Sequence, residues 1–206
     1  TFDNLPELFN KIMWTATPDP LWKNAGDPDF YTNLRQTAKR LYEETDFAIT
    51  VNYGSLIFEL TQWFFRNDEF FIRLIAERKQ IETLLDKLVE YHLERLEPLL
   101  EAVSPYAQVL IMGDDLGMQT RPLVSPKMYR EMFFPRHKEI FQFVKTHSNL
   151  RTFLHSCGAI APLLPDLIEA GLDIINPVQT HATGMEPEKL KREFGKDIVF
   201  WGGGVD

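Results

Sequence analysis

"RTFLHSCGAIAPLLPDLIEAGLDIINPVQ", residues 151–179, packs three elements into one short passage. The apolar run "RTFLHSCG" (151–158) reads as a buried strand ending in polar and glycine residues. "APLLPDLIEAG" follows as a helix whose Gly171 suits a C-terminal cap, and "DIINPVQ" (173–179) reads as a second strand. A strand, a crossover helix and another strand make a unit of parallel sheet.

The same rhythm extends in both directions. Upstream, "AQVLIMGDDLG" (107–117) is a strand, and "SPKMYREMFFPRHKEIFQFVKTHS" is a helix with Ser125 as cap and Pro126 at its first position. Downstream, "EPEKLKREFG" is a short helix with Pro187 near its start, and "DIVFWGGGVD" is a last strand. Further upstream, "FAITVNYG" (47–54) reads as a strand ended by Gly54. Between it and residue 107, "SLIFELTQWFFRND" and a longer stretch carry Leu74, Ile81, Leu85, Leu88, Leu93 and Leu96 at helical spacing. Residues 1–46 stand apart as an N-terminal segment. Within it Phe30, Leu34, Ala38 and Leu41 mark one helical face, with Asp27 and Pro28 as start signals.

Five strands thus alternate with helices, and their ends read "NYG", "GDDLG", "HSCG", "NPVQ" and "WGGGVD". An open α/β sheet gathers its site at one switch point, whereas a barrel places function at the end of every strand. Five decorated ends in succession favour the (β/α)₈ TIM barrel over residues 47–206. A complete barrel takes about 250 residues, so the expectation is an incomplete portion of a longer chain.

Composition bounds the partners. The 206 residues carry a net charge of −8 with a sequence pI of about 5.2, which disfavours nucleic acid and anionic membranes. One cysteine cannot close an internal disulfide, and no signal peptide is evident, so a cytoplasmic location is expected. Runs such as "FAITV" and "QVLIM" fall far short of the roughly 20 apolar residues of a membrane span.

That cysteine, Cys157, lies two residues after His155, so on a strand both side chains share a face. Imidazole and thiolate are preferred zinc ligands, yet two ligands are half a site. Spacing alone leaves open a buried cysteine beside a histidine bonded to backbone. Asp114 and Asp115 follow "VLIM" and point to opposite faces, so at most one enters a pocket, as base, substrate anchor or metal ligand, while the other caps a loop or helix. Both are candidate catalytic residues; a turn-forming "GDDLG" is the competing reading. Asn176 and Gln179 could hydrogen-bond a polar substrate, with His181 in the loop beyond, although Asn before Pro is also ordinary turn chemistry. "WGGGVD" admits a close backbone approach but matches no dinucleotide or phosphate fingerprint. His92, His137 and His147 read as structural or solvated.

Together "GDDLGMQTRPLVSPKMYREMFFPRHKEIF", "FLHSCGAIAPLLPDLIEAGLDIINPVQ" and "EKLKREFGKDIVFWGGGVD" resemble the uroporphyrinogen decarboxylase superfamily, which includes that decarboxylase and the corrinoid-dependent methyltransferases. The resemblance covers most of residues 47–206. It implies a (β/α)₈ barrel with an N-terminal strand and final βα units outside this chain. Where the decarboxylases carry a "GAP(F/W)T" segment with a downstream tyrosine, this chain departs with "GSLIFELTQW" (54–63) and Gln62 near the tyrosine position, and the decarboxylases lack a His-x-Cys; Gly54, at the end of its strand, is a further candidate substrate-binding position. The methyltransferases are similar at His-x-Cys-Gly. That resemblance implies Zn²⁺ on His155 and Cys157, a third ligand beyond Asp206, a small-molecule methyl donor or acceptor, and a corrinoid (cobalamin) as co-substrate or on a partner protein. The alternatives are cofactor-independent decarboxylation in porphyrin metabolism and non-catalytic binding of a tetrapyrrole or corrinoid.

Overall fold

The structure is a computed structural model and describes residues 27–203. Side-chain alternation along its strands decides what each face of the sheet does. In β2 (Val109–Gly113), Leu110 and Met112 enter the large core beneath the helices, whereas Val109 and Ile111 join Phe153 and Ile174 in a separate small cluster on the other face. β3 (Arg151–His155) repeats the pattern, with Leu154 on the helix side and Phe153 on the inner side.

With β1 (Thr50–Ser55), β4 (Ile174–Asn176) and β5 (Val199–Phe200), these strands form one sheet in the order β1-β2-β3-β4-β5, every neighbouring pair parallel. Sequential order with all crossovers stepping the same way is the arrangement of a (β/α)₈ barrel. A doubly wound sheet would instead reverse direction at a switch point.

Helices cover the outer face. α1 (Phe30–Glu44) packs on α4 (Arg78–Val103), whose buried residues Ile81, Leu84, Leu85, Leu88, Leu96 and Leu99 follow helical spacing. Between β1 and α4 lie α2 (Ile57–Phe65) and α3 (Asn67–Ala76), separated at Arg66, the one non-glycine residue with positive φ (65°) among the described residues. The sequence reading of strand 47–54 shifts to Thr50–Ser55, and Gly54 lies inside the strand rather than ending it: its φ of 110° accommodates a slip of register between Asn52 and Gly54.

Ser125 caps α5 (Pro126–Met128) as its spacing predicts, its hydroxyl accepting from the Met128 N–H at 3.2 Å. The single helix read from Ser125 onward is interrupted, because Tyr129–Phe133 forms a π-helical turn before α6 (Phe134–His147). Pro135, with no N–H to give, stands at the point where the wider turn returns to α geometry. Gly171, at φ 111°, ends α7 (Leu164–Ala170) as expected, and Pro187 opens α8 (Pro187–Phe194). No helix among the described residues is long and apolar enough to cross a membrane. Residues 1–26, most of the N-terminal segment set apart in the sequence, lie outside the described residues.

Candidate metal centre

Alternation continues past the end of β2, so the two neighbouring aspartates part company. Asp114 follows Leu110 and Met112 to the helix side and is fully buried. Its carboxylate accepts the backbone N–H groups of Phe58 (3.0 Å) and Glu59 (2.7 Å) at the start of α2, where unpaired amides and the helix dipole favour negative charge. It also accepts from His137 Nε2 at 2.8 Å, while His137 Nδ1 lies 2.9 Å from the Tyr129 hydroxyl. An ionised carboxylate only accepts, so Nε2 carries the proton, and the Tyr129 O–H donates to Nδ1. Burial raises the Tyr129 phenol well above its usual pKa, with the charge of Asp114 adding to it, in keeping with that donor role. Every partner in this chain is satisfied inside the protein, and none faces the mouth of the barrel.

Asp115 follows Val109, Ile111 and Gly113 to the inner side. There it meets His155 and Cys157 from the end of β3: one carboxylate oxygen, one imidazole nitrogen and one thiol sulfur lie within 4.8 Å of one another. His155 Nε2 is 3.5 Å from Cys157 Sγ and 3.9 Å from Asp115 Oδ1, and the Cys157 backbone N–H donates to that same Oδ1 at 2.8 Å.

The back of His155 is also held. Asn176, its partner in register on β4, donates through Nδ2 to the carbonyl of Trp201 at 2.8 Å, which turns the amide oxygen towards His155 Nδ1, also 2.8 Å away. The carbonyl oxygen only accepts, so Nδ1 carries the proton and Nε2 presents its lone pair to the cluster. A backing hydrogen bond of this kind is what orients metal-bound histidines. Tetrahedral zinc places a ligating N and S about 3.5 Å apart and a ligating N and O about 3.4 Å apart. The three donors therefore fit zinc with a small inward movement of Asp115. Burial first, then the charges of Asp115 and Glu59, push the Cys157 thiol up to about 11, so a cation is needed to make it a thiolate at neutral pH.

Backbone contacts between the loops set this geometry. Gly117 and Gly158 meet face to face: a Cβ on Gly117 would fall 2.5 Å from the Cys157 carbonyl oxygen, and one on Gly158 would fall 2.6 Å from the Gly117 carbonyl carbon. Ser156, buried, accepts the Leu116 N–H at 3.0 Å, and the Ala159 N–H reaches the Met118 carbonyl at 2.9 Å. Gln179 accepts the Gly158 N–H, which places its side chain under the cysteine loop.

Of the residues singled out in the sequence, His155, Cys157, Asp115 and Asn176 come together. Gln179 supports them, Gly54 sits within β1, and Asp114 points to the opposite face. The third ligand expected beyond Asp206 has a candidate within the chain, Asp115. Sequence reasoning passed over Glu59, although a lone acid in the apolar run "SLIFEL" (55–60) is a visible signal. It also left His137 as structural or solvated, and the structure decides for the buried, structural role.

Residues 66–203 match the family model for uroporphyrinogen decarboxylase (URO-D). No curated protein sequence matches the chain. Among solved structures it is similar to a methyltransferase from Methanosarcina mazei, with a TM-score of 0.54 and 20% identity over 72% of this chain and 43% of that one. The chain thus spans less than half the length of that methyltransferase, and at this identity the likeness is one of fold.

Proposed function

The chain belongs to the uroporphyrinogen decarboxylase (URO-D) family, and on that premise we propose that it is a zinc-dependent methyltransferase exchanging methyl groups with a corrinoid cofactor or a corrinoid protein. The observation that carries this reading is the donor set: Asp115, His155 and Cys157 present one oxygen, one nitrogen and one sulfur to a common point. These three residues would hold the ion. Bound there, zinc would lower the pKa of a thiol acceptor and so make it nucleophilic at neutral pH.

The protein's own side chains prepare the place. Asn176 holds His155 in the tautomer that offers Nε2, and the Cys157 N–H holds Asp115 in reach of the cluster. The Gly117–Gly158 contact fixes the height of the cysteine loop. The small-molecule acceptor would lie at the mouth of the barrel, in the open region that leaves the side chains of His155 and Asp115 47% and 40% exposed. A cytoplasmic setting, in which Cys157 stays reduced, accords with this reading. The sequence resemblance to corrinoid-dependent members and the fold shared with the Methanosarcina methyltransferase support it. Decarboxylation of a polycarboxylate fits less well: it asks for cations at the mouth, and around the cluster the described residues place Asp115 and Glu59.

The test is elemental analysis of protein purified without added metal, beside Cys157→Ser, followed by transfer of methyl from methylcobalamin to a small thiol. About one zinc per chain, lost with activity in the variant, is expected. A metal-free protein that takes up no zinc and converts uroporphyrinogen to coproporphyrinogen would replace this reading with decarboxylation.

A further inference from the structure

Among the described residues Glu59 is a further ionisable group that faces the cluster. It is the third residue of α2, and Asp114 grips its backbone N–H at 2.7 Å, tying the start of the helix to the end of β2. Its side chain turns inward, with Oε2 3.7 Å from the place a Cβ on Gly113 would take. Gly113 pairs in register with His155 and lies two residues before Asp115 on the same face. The missing side chain at 113 leaves that space to the Glu59 carboxylate. The groups facing it are Ser55 at the end of β1, Asp114 and Asp115 after β2, and His155 and Cys157 from β3. Among the described residues no lysine or arginine forms an ion pair with it.

We propose that Glu59 is the proton acceptor of this site, taking the proton that a bound thiol gives up before it is methylated. The inference rests on the methyl-transfer reading. The step is a proton transfer alone: the S–H bond breaks, its electron pair stays on sulfur, and the proton bonds to a Glu59 carboxylate oxygen, which later returns it to water. Burial first, with the charge of Asp114 next, raises the Glu59 carboxyl to about 7, near the value that suits a group accepting and releasing protons at neutral pH. A glutamate at the third position of a helix can also serve as part of a cap, and Ser55 is within its reach. Glutamine caps equally well, so Glu59→Gln removes the proton site and leaves the cap.

The experiment compares wild type with Glu59→Gln, using methylcobalamin and 2-mercaptoethanol on zinc-loaded full-length protein. The expected result is unchanged zinc content, an unchanged KM for the thiol and a kcat lower by about 100-fold or more. An unchanged kcat overturns the proposal, as does loss of zinc together with kcat, which would make Glu59 a ligand or a structural support. A second readout needs neither metal nor turnover: the infrared band of a protonated carboxyl should titrate across neutral pH in the metal-free wild type and vanish in Glu59→Gln. Absence of that band from the wild type also overturns it. Absence of zinc from the wild type defeats the methyl-transfer reading and this proposal with it, whereas zinc bound as expected with an unchanged kcat in Glu59→Gln defeats the assignment of Glu59 alone.

Discussion

Two aspartate–histidine pairs are built from the adjacent acids after β2, one reaching His137 on α6 and the other facing His155 at the end of β3, and they do opposite things. Asp114 and His137 are fully buried and 2.8 Å apart, and their remaining hydrogen-bonding atoms go to Phe58, Glu59 and Tyr129. Asp115 and His155 are 40% and 47% exposed and 3.9 Å apart, too far for a hydrogen bond, with a thiol beside them. In the first pair every donor has found its acceptor, which leaves nothing for a ligand. In the second the histidine's Nε2, met only by the Cys157 thiol at 3.5 Å among the described residues, the carboxylate and the sulfur leave room for an ion between them. Burial and separation, with the same functional groups, distinguish a structural brace from a candidate site.

The strongest way to break this comparison is to remove Asp114. Asp114→Ala leaves two helix amides and the His137 N–H without their buried acceptor and is expected to cost about 3–5 kcal/mol in urea unfolding. A loss as small as that of a surface residue would mean the buried pair is no brace. Next, Gly117→Ala drives a methyl group into the Cys157 carbonyl, with an expected cost of about 1–3 kcal/mol and displacement of the cysteine loop. Zinc affinity measured by competition with a chelator should fall with stability in that variant.

On the open side, Asn176→Ala releases the back of His155 and should weaken zinc binding by about 10–100-fold with little change in the unfolding midpoint. A third histidine sharpens the role of burial. His92, fully buried against the Tyr53 hydroxyl at 2.7 Å, has no carboxylate partner among the described residues, and burial lowers its pKa to about 3. Below the unfolded value of about 6.5, the unfolded chain takes up a proton that the folded one refuses. Its contribution to stability is therefore complete above about pH 6.5 and declines by up to about 1.4 kcal/mol per pH unit towards pH 3. Unfolding midpoints across that range should show a shallower slope in His92→Gln. The smallest expected effect is on stability in Asp115→Asn, within about 0.5 kcal/mol, since the carboxylate is part-exposed and accepts a hydrogen bond that an amide oxygen also accepts.

Much of the architecture was legible because it is written in local signals. The period-2 runs, the cap at Ser125, the left-handed Gly171 and the prolines at 126 and 187 each act within a few residues, and each stands where its chemistry predicts. Breaks that depend on distant packing were not legible: the change of direction at Arg66, the π-helical turn at Tyr129–Phe133 and the slip of register at Gly54 leave no periodic mark. The rule that adjacent strand residues face opposite ways divided Asp114 from Asp115, but not which one faced which side. That assignment needed the small inner cluster of Val109, Ile111, Phe153 and Ile174 to be seen apart from the helix-side core.

By itself the sequence determined the alternation of strands and helices, which follows from backbone periods that hold wherever the chain goes, and it set His155 and Cys157 two residues apart at a strand end, although Cys157 lies just past β3, where loop contacts place it. Only the tertiary structure could join Asp115 to that pair, set Asn176 behind the imidazole and lay Glu59 over Gly113. Those contacts run between strand ends, and between α2 and β2, far apart in the chain, and their distances depend on sheet register and loop packing, which no local pattern encodes.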